Sequence, residues 1–168
     1  MKKFLIIYIL ALILGGSISM CSNKEKEVPS VLEIPSYGVE VDWRLGDLFD
    51  RFNLLMEQND IEIDYTKLER IVVLPLDRQF NGLYWEETIY ININLSVPNG
   101  TTLQVERDFV LYVLAHEIGH SQGMAHTPQN PFNLMYNGGE FAISNIKAKS
   151  IEEIILNAYC NKVVTPTR

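Results

Sequence analysis

Between residues 45 and 56 apolar side chains fall at Leu45, Leu48, Phe49, Phe52, Leu55 and Met56. That three-and-four spacing gathers them on one face of an α-helix, so a first amphipathic helix is predicted there. Ile71-Val72-Val73-Leu74 differs: it is short, continuous, rich in β-branched residues and closed by Pro75. The run is too short for a helix and suits an inner strand. In residues 88–94, TIYININ, Ile89, Ile91 and Ile93 alternate with Thr88, Tyr90, Asn92 and Asn94. Period two gives a strand with one apolar and one polar face, expected at the edge of a sheet. Pro98-Asn99-Gly100 then turns the chain.

A second helix is expected from Thr101, where Gln104 completes a capping-box pattern, and Val105, Phe109, Tyr112, Val113 and Leu114 keep helical spacing up to His116. A third is expected from Ser144 to Tyr159, with Ile146, Ile151, Ile154, Ile155 and Ala158 facing inward. Cys160 continues that apolar pattern and is expected to be a small buried hydrophobe. The order helix, strands, helix, loop, helix makes an α+β domain. At 168 residues, 47% of them apolar, the chain has enough for one core and little room for a second. Residues 37–168 are taken as one domain.

The first 20 residues follow a different pattern: a basic start, an apolar run from Phe4 to Leu14, Gly15-Gly16, then small residues. An export signal is expected, since a membrane span needs about 20 apolar residues. Two cleavage sites remain open. Ile18-Ser19-Met20-Cys21 resembles a bacterial lipoprotein signal, although Met20 stands where a small residue is usual. The resemblance implies a lipid on Cys21, the sole membrane contact, with the protein at the cell surface or in the periplasm. Ser17-Ile18-Ser19 offers ordinary cleavage and a secreted product. The polar stretch SNKEKEVPS after Cys21 favours the lipoprotein reading, and residues 21–36 are expected to be a flexible linker.

The formal charge of −7 becomes more negative once Lys2 and Lys3 leave with the signal. Such a surface repels phosphate backbones, which argues against a nucleic-acid partner. Calcium is compatible with this acidity, but no recognisable calcium loop indicates it. A monomer is expected.

All three histidines lie within HEIGHSQGMAH, residues 116–126. His116 and His120, four apart on a helix, differ by about 40° and ~6 Å, so both imidazoles leave one face and can share a divalent metal, usually zinc. On a continued helix His126 would point roughly 240° away from His120. Gly123 can take positive φ and reverse the chain, which makes His126 a possible third ligand. Three protein ligands leave a fourth position for water, as in catalytic sites, and Glu117 is placed to act as general base.

With these residues in view, the chain resembles the metzincin zinc endopeptidases, whose signature is H-E-x-x-H-x-x-G-x-x-H. The resemblance implies that His116, His120 and His126 bind one catalytic zinc ion and that Glu117 is the base. It also implies a methionine turn beneath the metal, and Met135 in Asn133-Leu134-Met135-Tyr136 is the matching residue. Leu134-Met135-Tyr136 is most similar to the matrix-metalloproteinase branch, from which Thr127 departs, because Ser is usual there. Asn137, two residues past Met135, replaces the tyrosine ligand of astacin-like members. The implied metzincin-like zincin fold has a twisted, mostly parallel sheet, an antiparallel edge strand over the zinc cleft, an active-site helix and a C-terminal helix. TIYININ is the expected edge strand, along which a protein or peptide substrate would lie extended. The implied activity is hydrolysis of peptide bonds. The alternatives are a zinc-stabilised surface binding lipoprotein that does not cleave and, with only three ligands against it, a zinc storage protein.

Overall fold

A computed structural model describes residues 37–77, 79–94, 103–128, 130, 132–136, 146 and 148–161. The export signal, Cys21, the linker, the Pro98-Asn99-Gly100 turn and the helix start expected at Thr101 lie outside them. The elements are β1 (Glu40–Val41), α1 (Gly46–Glu57), β2 (Arg70–Leu74), β3 (Gly82–Trp85), β4 (Thr88–Asn92), α2 (Leu103–Ser121) and α3 (Ile151–Cys160). They form an α+β arrangement with a four-stranded mixed sheet and, among the described residues, three helices.

The sheet order is β1-β2-β4-β3. β1 runs parallel to β2, and β2 parallel to β4 in the register Ile71 to Ile89 and Val73 to Ile91. β3 returns antiparallel on the outer side of β4, with Tyr84 opposite Ile89. The two strands are joined through Glu86 and Glu87, whose φ values of 46° and 62° give the left-handed backbone conformation that a two-residue hairpin turn needs to match the right-handed twist of its strands.

β2 is an inner strand, as its apolar run predicts. TIYININ is not the edge: β4, which contains most of it, lies between β2 and β3, and β3 is the antiparallel edge strand. One polar member of the alternation, Asn92, is satisfied inside the protein. Asn92 is buried and its amide donates to the Phe80 carbonyl at 2.7 Å while its oxygen accepts from Leu76 N–H at 3.2 Å.

The central element is α2, which packs on β3 and β4 and on both other helices. Phe109, Leu111, Leu114 and Ile118 bury completely or nearly so, against Phe49, Phe52 and Met56 of α1, Ile89 and Ile91 of β4, and Ile154 and Ile155 of α3 within one core. Arg51 of α1 ties the helices together on their outer side, bonding Asp108 of α2 and Glu152 of α3. The Tyr159 hydroxyl donates to the Ala115 carbonyl at 2.7 Å, inside the core.

The continuous helix expected over 144–159 is interrupted. Ile146 and Ala148 are helical, the chain breaks at Lys149-Ser150, and the Ser150 hydroxyl accepts from Glu153 N–H at 3.1 Å to cap α3. Cys160 is exposed, not buried, because it continues the solvent stripe of Glu153 and Asn157. Among the described residues no helix is long and apolar enough to cross a membrane.

Candidate metal centre

The last turns of α2 carry His116, Glu117 and His120. Helix geometry sends the two imidazoles out on one face, and the helix then ends in a paired-bond reversal. Gly123 N–H donates to the His120 carbonyl at 2.9 Å and Met124 N–H to the Gly119 carbonyl at 2.9 Å, with Gly123 at φ 77°. This turn brings His126 back against the helical pair, as the placement of Gly123 predicts. The three Nε2 atoms lie 3.1 Å (His116 to His120), 3.0 Å (His120 to His126) and 3.3 Å (His116 to His126) apart.

The donor chemistry decides what that triangle can hold. His116 Nδ1 lies 2.7 Å from the Leu134 carbonyl and His120 Nδ1 lies 2.9 Å from the Met124 carbonyl. A carbonyl only accepts, so both rings carry their proton on Nδ1 and turn a bare Nε2 lone pair inward. Convergent lone pairs at this spacing repel unless a cation lies among them. Tetrahedral coordination with metal–nitrogen bonds of ~2.0–2.1 Å needs nitrogens roughly 3.3–3.4 Å apart, close to what is seen. His116, His120 and His126 therefore fit one divalent metal ion.

Burial holds His116 down to about 4, with the neighbouring His120 and His126 adding to the effect and the Leu134 carbonyl opposing it. His120 is also lowered, again chiefly by burial. Both rings thus stay neutral, the form a metal ligand requires.

Met135 sits where the sequence reading expects a turn beneath the histidines. Met135 N–H donates to Asn133 Oδ1 at 2.8 Å, Tyr136 N–H to the Asn133 carbonyl at 3.1 Å, and Thr127 N–H to the Met135 carbonyl at 2.9 Å. The Met135 sulfur packs so close to Gly119 that a Cβ there would stand 2.7 Å from it. Leu134, whose carbonyl also accepts from the Tyr112 hydroxyl at 3.0 Å, joins this turn to the first ligand. The sequence reading missed these second partners, because backbone carbonyls leave no residue-type signal.

Glu117 points from α2 into a cleft of about 540 Å³ that also reaches all three histidines. One wall is the segment from Gln79 to Tyr84, including the start of β3; the other is built from Phe109, Tyr112 and Val113 of α2, with Tyr136 from the methionine turn. Only 5% of Glu117 is exposed. Burial pushes its carboxyl up to about 7, while the nearby backbone of Tyr84 favours the charged form and limits the rise. A carboxyl raised in this way, beside a candidate metal ligand and lining the cleft, can take and return a proton.

Comparison with protein-family models, curated proteins and solved structures finds no match to this chain.

Proposed function

We propose that this protein is a zinc-dependent endopeptidase of metzincin type, exported by its N-terminal signal and tethered through Cys21. The observation that carries the activity is the combination of three convergent imidazole lone pairs with a buried carboxyl in the same cleft. Zinc is the divalent ion that best suits an all-imidazole set with three protein ligands. Held by His116, His120 and His126, it supplies Lewis acidity toward a carbonyl and makes water more acidic.

Glu117 supplies the proton transfers. Its carboxylate accepts a proton from the water that attacks the scissile carbonyl and delivers that proton to the departing nitrogen. β3 offers the free strand edge along which an extended peptide can pair, replacing TIYININ in that role. A metal site serving only stability needs no buried carboxyl beside its ligands, which counts against the non-catalytic alternative.

The test is hydrolysis of an unfolded protein such as casein by the zinc-loaded chain. Cleavage at internal bonds, loss on chelation and recovery on returning zinc are expected. Cleavage that survives complete chelation, or no cleavage by protein shown to hold one zinc per chain, would contradict the reading.

A further inference from the structure

We infer that Gly82, the first residue of β3, is a positioning residue for Glu117; its catalytic consequence rests on the endopeptidase reading. A Cβ built on Gly82 would stand 2.7 Å from Glu117 Oε1, 2.8 Å from Glu117 Cγ and 2.8 Å from Val113 Cγ1. The space a side chain would occupy at 82 is the space in which the Glu117 carboxyl sits. Two residues further on, the Tyr84 backbone lies close enough to that same carboxyl to favour its charged form. β3 therefore meets Glu117 twice, once by making room at Gly82 and once through the nearby backbone of Tyr84.

Glu117 cannot yield by moving its backbone, because that would carry His116 with it and α2 is enclosed by sheet and helices. Val113 is buried and β-branched, with a single side-chain torsion to adjust. The longer Glu117 side chain gives way first, by turning about its Cα–Cβ bond, which carries both Cγ and the carboxyl away from position 82. A single methyl at position 82 is thus converted into a misplaced carboxyl while the histidines stay where they are. A displacement on the order of 1 Å in a catalytic group can cost about 100-fold in rate.

The experiment compares zinc-loaded wild type, Gly82→Ala, Val113→Ala and the Gly82→Ala/Val113→Ala double variant by crystal structure, zinc content and kinetics. Gly82→Ala is expected to keep one zinc per chain, to show the Glu117 carboxyl displaced from the Tyr84 backbone, and to lose about 10- to 100-fold in kcat with KM little changed. The double variant is expected to show the same loss relative to Val113→Ala, because removing the Val113 contact leaves the Glu117 contact in place. Should alanine at 82 prevent folding by itself, that second comparison carries the test. A Glu117 carboxyl still beside the Tyr84 backbone with kcat unchanged would overturn the inference, as would restoration of kcat by Val113→Ala. If the zinc-loaded wild type cleaves no peptide, the endopeptidase reading fails separately, and the position of the Glu117 carboxyl in Gly82→Ala still decides whether Gly82 seats it.

Discussion

Glu117 is an acid held inside the protein, and that placement has a measurable cost. Its carboxyl is raised from 4.5 to about 7, chiefly by burial. Between those values the folded protein holds a proton that the unfolded chain has released, so this group's contribution to stability falls as pH rises through that window and is at its worst above it. Chelated Glu117→Gln is therefore expected to be more stable than chelated wild type at about pH 8, by up to roughly 3 kcal/mol, with the difference closing toward pH 4.5. Denaturant titrations of both proteins across pH provide the check; a difference that does not vary with pH would contradict it. His116 and His120 are common to both proteins, so their own depressed values cancel. At this scale the sequence was informative: HEIGHSQGMAH pointed to the three histidines that the structure brings together, because helix spacing puts His116 and His120 on one face and Gly123 lets His126 return. It could not reveal Leu134 and Met124 as the carbonyls that orient the rings, nor the approach of Gly82, because these depend on backbone from other parts of the fold.

Among the elements, the helix end at Gly123 links local conformation to the histidine triad. Gly123 stands at φ 77°, where any Cβ is strained. Gly123→Ala is expected to cost about 1–2 kcal/mol in stability and to weaken zinc binding, because the turn that returns His126 is disturbed; Gly123→Asn should be milder. Thermal melts with and without zinc measure both effects, and unchanged zinc affinity in Gly123→Ala would show that the turn does not set His126. Ser150→Ala is the contrasting case: loss of the α3 cap should cost about 1 kcal/mol and leave zinc affinity untouched. Both the cap and the helix break were present in the sequence as Ser150 and Glu153, yet the isoleucine period runs across them and suggests one continuous helix. The strand order was harder to read. β3 is four residues, Gly-Leu-Tyr-Trp, without β-branching, and half of it is exposed, so it carries little strand signal. β4 alternates like an edge strand because Asn92 is polar, but its amide is satisfied by the chain from Leu76 to Phe80 rather than by water.

In the molecule as a whole, α2 is both the core of the fold and the carrier of the site, so stability and the geometry of the histidine triad are coupled through it. The Tyr159 hydroxyl on the Ala115 carbonyl touches α2 one residue before the first ligand, and burial keeps that phenol protonated. Tyr159→Phe is expected to lose about 1 kcal/mol of stability, read by chemical denaturation, with one zinc still bound per chain. The central claim, that this fold presents a metal and a proton carrier to a peptide, is tested most directly by wild type and Glu117→Ala assayed side by side for bound zinc and for casein hydrolysis. The account predicts one zinc per chain in both and hydrolysis only in wild type, lowered at least about 100-fold in the variant. Equal hydrolysis by both zinc-loaded proteins would contradict it.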